Sequence, residues 1–400
     1  MTVSLGVFAQ AQDAPAAPAA PAATPAAAPA AAPTPVWSVG SVDFSGYIDG
    51  YYSYNANRPG SNTSFGQVNQ YYNFDDLTDQ FSLEAAKLTL NHDPDPIGAH
   101  VDLLFGRTNT FLHGTGNLNE FFTDNYIEQA YVSIKPPKAK GFELDAGQFV
   151  TSAGQEVIET MNNWSYSHGL LFGYAIPYYH FGLRTTAPLT KVWTAGFQLV
   201  NGWNNSTAYN NGITVGLTSS VVKPKYTWNF NYYTGPSNFD TEKGYRNLID
   251  TTLLLTPNAK FNMYANYDYG QNHTFNPTGG GKVPLSMHSP HWQGLAVSAR
   301  EQVTANAALV VRGEYFKDNQ GYATQSGTPT TLPKGQVLRE FTGTYEYKWP
   351  AGLLMRVEYR RDWSTAGKKV YVFQKGDSEA VLAQSTVTVG LVAFFGPKRQ

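Results

Sequence analysis

The sequence predicts an all-β fold, a transmembrane antiparallel β-barrel of 16 strands with short periplasmic turns and long extracellular loops. Three observations carry this. Apolar and polar residues alternate in segments long enough to cross a bilayer, short turns alternate strictly with long polar loops, and charged residues are scarce. Residues 352 to 363 show the alternation. Leu353, Met355, Val357 and Tyr359 share one parity, while Leu354, Arg356, Glu358, Arg360 and Asp362 share the other. Side chains alternate across a strand, so one face is greasy and the other charged. The preceding segment repeats the pattern, with Phe341, Tyr345 and Tyr347 set against Glu340, Thr342, Thr344 and Glu346. The W-P-A-G between them reads as a hairpin turn. A soluble β-sandwich also alternates, so segment length and turn asymmetry must separate the two.

Taken in order, the strand candidates are an opening segment, seven hairpins and a closing segment. The first is 42–56. D-P-D-P-I-G joins 81–92 to 99–108, K-P-P-K-A-K-G joins 124–134 to 142–150, and P-L-T joins 178–187 to 191–201. K-P-K joins 211–222 to 225–235, T-P-N-A joins 246–256 to 259–270, and T-A-N-A joins 291–303 to 306–317. W-P-A-G joins 337–348 to 352–363, and 384–395 closes the series. Most segments approach the ~9–11 residues that cross a bilayer at a ~45° tilt and exceed the roughly 5–6 of soluble strands. An even count puts both termini on the periplasmic side, and sixteen strands form the class of barrel that leaves an aqueous channel.

Composition agrees. Only 14% of the 400 residues are charged, against about 25% in soluble proteins. The 26 Tyr and 8 Trp suit the interfacial girdles of a barrel. No run of apolar residues is long enough for a transmembrane helix. A net charge of −2 provides no basic stripe for nucleic acid, and the absence of cysteine removes disulfides, thiolate metal sites and a cysteine nucleophile. At the N-terminus, residues 1–11 read as the remnant of a signal peptide ending in the A-x-A box Ala9-Gln10-Ala11, with no basic n-region before it. Residues 12–36 form an Ala/Pro-rich disordered linker, and 37–400 the barrel.

Parity also assigns the lumen. Its candidates are Asp43, Asp49, Asp102, Glu143, Asp145 and Arg184, followed by Asp268, Arg300, Arg312, Glu314, Glu340, Glu346, Arg356, Glu358 and Arg360. A lipid-facing Arg or Lys costs about 2–4 kcal/mol at mid-bilayer, so arginines sharing a face with acids are expected to look inward. Glu84 and Glu128 break the rule by sharing parity with apolar neighbours, which predicts either a position near the strand's loop end or a local bulge. The longest loop, 151–177, offers the acids Glu156 and Glu159, with Asn162, Asn163 and His168 behind them. Leu170, Leu171, Phe172 and Ile176 in the same loop need burial. The expectation is an inward fold in which Glu156 and Glu159 face Arg184 and the late-strand arginines across a constriction, giving a transverse field. The alternative is two acids solvated on an outer loop.

Other constellations carry less. His288 and His291 form an H-x-x-H in a proline-containing irregular stretch and read as loop histidines. His180 reads as a lumen histidine in a wet pore, since no G-x-S-x-G nucleophile motif accompanies it. Asn62, Asn163, Asn205 and Asn272 begin N-x-[ST] sequons, and the G-G-G at 279–281 lacks the Lys-Ser or Lys-Thr of a phosphate loop. No cofactor, metal or catalytic residue is expected.

The run N-W-S-Y-S-H-G-L-L-F-G-Y-A-I-P-Y-Y-H-F-G-L-R at 163–184 is preceded by G-Q-F-V-T-S-A-G-Q-E-V-I-E and followed by N-G-W-N-N at 201–205. With the ending F-F-G-P-K, these motifs resemble the Putative beta-barrel porin-2 (OmpL-like) family of bacterial outer-membrane proteins, from about Gly46 to Pro397. The resemblance implies a porin-type location and role. One departure from common outer-membrane proteins is that Phe395 is followed by Gly396 to Gln400, so the aromatic signal for barrel assembly is not terminal.

Three functional classes follow. The first is an outer-membrane porin passing small hydrophilic solutes or ions, with outer-membrane lipid and the barrel-assembly machinery as partners and a homo-oligomer as its assembly. The second is a structural or adhesive barrel without transport. The third, an outer-membrane hydrolase, would need a catalytic constellation that the sequence does not show.

Overall fold

A computed structural model describes residues 38–60, 67–113, 126–208, 210–236, 244–273, 289–324, 335–365 and 372–396. The signal-peptide and linker readings of 1–36, the Asn62 sequon, the G-G-G at 279–281, His288 and the tail after Gly396 lie outside these residues.

Sixteen long strands form one closed antiparallel barrel. They are β1 Val42–Asn55, β2 Gln80–His92, β3 Ile97–Phe105, β4 Ile127–Ile134, β5 Glu143–Val150, β6 Tyr179–Pro188, β7 Trp193–Val200 and β8 Thr214–Lys223. They continue with β9 Tyr226–Pro236, β10 Tyr245–Leu255, β11 Phe261–Asn272, β12 His291–Gln302, β13 Ala307–Asp318, β14 Gln336–Trp349, β15 Leu353–Ser364 and β16 Ala383–Phe395. Each pairs with its sequence neighbours, and β16 closes on β1 in the register Thr386↔Asn55 to Phe395↔Gly46. Closure leaves no barrel strand with an unpaired edge. The two-residue strand Ser38–Val39 folds back on the start of β1, and a small hairpin, Phe373–Lys375 with Glu379–Val381, sits in the last long loop.

Burial follows parity. On β15, Arg356, Glu358, Arg360 and Asp362 are buried, whereas Val357 and Tyr359 are exposed. The outward side chains form an apolar belt that includes Leu217, Leu253, Val311 and Leu391, and no helix among the described residues is long and apolar enough to cross a membrane. Trp193, Trp228, Trp349 and Phe395 mark the periplasmic ends of their strands. Strand ends differ from the sequence reading by up to three residues, and at one of them the chain takes another form: β3 stops at Phe105 and turns into a short helix, α1 Arg107–His113, where a strand was expected to reach 108.

The two parity violations have one cause. The β1–β2 ladder shifts between Asp49, opposite Ala85, and Gly50, opposite Leu83, so Glu84 is an extra residue. The β3–β4 ladder shifts between Asp102, opposite Gln129, and Leu103, opposite Ile127, which makes Glu128 extra. A bulge rotates its extra side chain off the strand's parity, and both carboxylates end up 1% exposed inside the barrel.

The belt yields a depth test. Val311→Arg, on the outward face at the middle of β13, should lower the stability of the folded barrel in lipid vesicles by about 2–4 kcal/mol, and Val337→Arg, near the extracellular end of β14, by roughly 0–1 kcal/mol. Equilibrium urea unfolding in vesicles measures both. Equal losses would mean that Val311 does not face hydrocarbon.

Candidate channel constriction

The segment 151–178 leaves the end of β5, crosses the lumen and returns to β6, its ends tied by a Thr151 N–H to Tyr178 C=O bond of 2.9 Å. It contains a single 3₁₀ turn, Thr160–Asn162, and one short helix, α2 Leu170–Tyr174. Most of its main chain therefore makes no regular internal bonds, and buried inside a barrel it needs partners from elsewhere. The inward faces of β13 and β15 supply most of them.

Arg312 on β13 donates to the Ser167 carbonyl at 2.7 Å and pairs with Glu156 at 2.5 Å. Arg356 on β15 donates to the carbonyls of Thr160, Asn163 and Ser165, and Arg360 donates to that of His168 at 2.6 Å. The acids of the wall accept from the loop's amides. Glu358 takes the N–H groups of Tyr166 and Ser167 at 2.7 and 3.0 Å, and Glu314 takes that of Leu171 at 3.0 Å. Within the loop, Glu156 also accepts from the Gly169 N–H at 2.7 Å. Two glycines permit this closeness. A Cβ on Gly169 would lie 1.9 Å from a Glu314 oxygen, and one on Gly390 of β16 would lie 2.1 Å from the Tyr166 ring.

The wall charges also satisfy one another. Arg312 lies 3.0 Å from Glu340, Arg356 lies 2.7 Å from Glu346, Arg300 pairs with Glu346 at 2.9 Å, and Arg360 pairs with Asp362 at 2.8 Å. Further round the barrel, Asp49 of β1 accepts from Tyr166 Oη at 2.8 Å and from the Thr160 hydroxyl, while Glu159 pairs with Lys87 of β2. The Lys87 ammonium sits among three carboxylates, 2.8 Å from Asp102 and 2.7 Å from Glu128 besides Glu159. A third anchorage lies on β9–β11, where Asn231 donates to the Ser152 carbonyl at 2.9 Å and Asn266 accepts from the Gln155 N–H at 3.1 Å. Beside it Asp268 stands opposite Asp250, both fully buried, with Asn231 donating to Asp250 at 2.7 Å.

The apolar side chains of the loop make a core inside the barrel. Leu170, Leu171, Phe172 and Ile176 are 4% exposed or less and pack with Phe74, Tyr178, Trp292, Phe316 and Leu338. The Trp292 indole donates to the Ala175 carbonyl at 3.0 Å. Between the loop and the wall, a cavity of about 10 Å³ remains beside Glu156, Leu171, Tyr264, Asn266, Ala296 and Glu314. That is about the room of one water molecule.

The sequence expectations fare unevenly in detail. Glu156 meets a late-strand arginine, but in direct contact rather than across a gap. Glu159 turns to Lys87, a residue the sequence reading missed although it shares the inward parity of Thr89 and Asn91. Arg184 meets neither acid. It pairs with its cross-strand neighbour Asp145 at 2.7 Å and lies over the Phe149 ring at 4.6 Å. Asp43 and Glu143 stand at the periplasmic mouth, Asp43 accepting from Ser38 and Glu143 paired with Lys135 at 2.9 Å. His180 is not in a wet pore: it is fully buried, bonded through Nδ1 to the Gly202 carbonyl at 2.8 Å and stacked on Tyr233. Asn163 and Asn272 are buried, so neither presents an accessible sequon, and His291 stacks on Tyr269 at the start of β12.

A second loop, 67–78, closes over the first. Its Phe74 ring lies 4.5 Å from the His168 ring, and Asp75 sits 3.6 Å from His168 Nδ1. Burial raises the Asp75 carboxyl well above the ordinary range, helped by the nearby Glu358 charge, and burial pushes the His168 imidazole down. Because the folded Asp75 holds its proton more tightly than the unfolded one, its stabilising effect is complete below the ordinary carboxyl value of about 3.9 and is lost as pH rises through the folded value. Asp75→Asn keeps the shape of the protonated acid and does not titrate. The variant should melt higher than the parent at pH 8, with the difference shrinking to nothing as pH falls to about 4. Thermal melts across that range check this, and a difference independent of pH would contradict it.

The family model described as Putative beta-barrel porin-2, OmpL-like, matches residues 41–395. No curated protein matches the chain in sequence. Among solved structures, the outer-membrane channel DcaP of Acinetobacter baumannii is similar at TM-score 0.55 and 11% identity, over 88% of this chain and 97% of that one. Salmonella typhi OmpF, in complex with daunomycin, is similar at TM-score 0.55 and 13% identity, with the same coverages of 88% and 97%. An anion-selective porin from Comamonas acidovorans gives 0.53 and 11%, over 89% and 99%. At these identities the structures bear on the fold alone, and the fold they share is this closed barrel. With the family model spanning nearly all of the barrel, the chain belongs to the Putative beta-barrel porin-2, OmpL-like, family and is an integral channel-type barrel of the outer membrane.

Proposed function

We propose that the protein is a non-enzymatic diffusion channel for small hydrophilic solutes or ions whose constriction is segment 151–178, and that this segment shifts to let solutes pass. The observation that supports this reading is that Glu156 and Glu159 tie the segment to two separate sectors of the barrel wall, through Arg312 and Lys87. In the position described, the lumen around the segment is packed, so conduction requires the segment to give way. The alternation of arginines and acids along β13–β15 would then line the path with fixed charge of both signs. One structure of similar fold, Vibrio cholerae OmpT, is described as a trimer form. A homo-oligomer set in outer-membrane lipid, delivered by the barrel-assembly machinery, belongs to the same proposal.

Glu156→Gln/Glu159→Gln tests it without orphaning the cations, because Arg312 keeps Glu340 and Glu314, and Lys87 keeps Asp102 and Glu128. Each charged hydrogen bond contributes about 1.5–3 kcal/mol, so weakening two of them should raise the open fraction on the order of tenfold. Single-channel recording in planar bilayers should show more frequent openings and a cation/anion selectivity shifted away from cations relative to the parent. Conductance and selectivity equal to the parent's would count against the constriction. Silence in both proteins would favour a barrel without transport.

A further inference from the structure

The outward face of the barrel carries a feature that conduction does not use. Lys317 on β13, Arg339 on β14 and Arg361 on β15 all sit on the lipid-facing parity, within four residues of the extracellular ends of their strands. Their registers place them together: Lys317 is opposite Val337, Arg339 lies between Tyr315 and Trp363, and Arg361 is opposite Phe341. Strands β2–β12 present no lysine or arginine outward at that end, so the basic patch occupies one sector of the rim. Among the described residues none of the three cations has a carboxylate partner. Arg361 donates to the Ser385 hydroxyl at 2.9 Å, and Arg339 lies over the Tyr315 ring at 5.7 Å.

Directly beside Arg361 the outer surface is hollowed into an open groove of about 500 Å³, lined by Phe341, Tyr359, Trp363, Leu382 and Ala383. This combination fits an amphiphile. The groove is apolar and faces hydrocarbon, so it accepts an acyl chain. The guanidinium groups stand at headgroup depth, where they can hold a phosphate by paired N–H bonds, and cations without carboxylate partners there attract anionic lipid. We infer that this sector is a binding site for a phosphorylated lipid of the outer leaflet, with its phosphate on Arg339 and Arg361, Lys317 adding charge, and an acyl chain in the groove.

Native mass spectrometry of the full folded barrel, released from detergent after equilibration with diphosphorylated lipid A or with the same lipid after removal of its phosphates, tests this. The parent should retain the phosphorylated lipid and not the other. Arg339→Gln/Arg361→Gln should retain at least tenfold less, Arg339→Lys/Arg361→Lys should keep most of the binding, and Lys191→Gln/Lys223→Gln at the periplasmic end should bind like the parent. A heat-modifiable gel shift verifies that each variant is folded, and the Lys variant keeps the test valid if the Gln variant is not. Equal retention of both lipids by the parent, or loss of binding by the periplasmic variant as great as by the Gln variant, would overturn the site.

Discussion

An irregular main chain inside a barrel has neither helix nor sheet partners nor bulk water, and its amides and carbonyls must still be bonded. Segment 151–178 meets this requirement by borrowing side chains. Three arginines of β13 and β15 serve its carbonyls, and Glu314 and Glu358 serve its amides. The alternation of arginine and glutamate along those strands is therefore more than a charged channel lining: it is the hydrogen-bonding complement of a folded-in loop. Burying ions is costly, and these are retained in pairs and with main-chain partners, so that removing one would strand another.

Strands β1–β4 follow the same logic with bulges added. Strict alternation would point Glu84 and Glu128 into lipid. One extra residue in each ladder turns them inward, where Glu84 accepts from Thr108 at 2.6 Å and Glu128 joins Asp102 and Glu159 around Lys87. That single ammonium then holds the loop at Glu159. The apolar part of the loop, from Leu170 to Ile176, packs on Trp292 and Phe316, so polar and apolar anchors together fix its position in the lumen.

Much of this was legible in the sequence because a barrel strand is a local object. Period-two alternation and the W-P-A-G and K-P-K turns located the strands to within three residues, and parity separated Arg356 from Val357 without any knowledge of the fold. Parity gives a face but not a depth or a partner. It placed Arg184 inward and could not show that Asp145, one strand away, would claim it ahead of Glu156 or Glu159. Lys87 was overlooked although its parity was readable, because its meaning lies in Asp102, Glu128 and Glu159, up to 72 residues away. His180 was expected in water because sixteen strands imply a wide lumen. What dries it is packing by Tyr233 and the Gly202 carbonyl, a tertiary fact without a local signal.

The central claim is that the loop occupies the lumen and must move for solutes to pass. The Ser165 hydroxyl of the loop lies 3.3 Å from that of Thr344 on β14, and the chain has no cysteine of its own. In Ser165→Cys/Thr344→Cys, a disulfide would staple the loop to the wall in its described position. Single-channel conductance recorded before and after reduction is the direct measurement. The account predicts that the oxidised barrel is silent and that a reducing agent restores the parent's openings, whereas an oxidised barrel that conducts like the parent would contradict it.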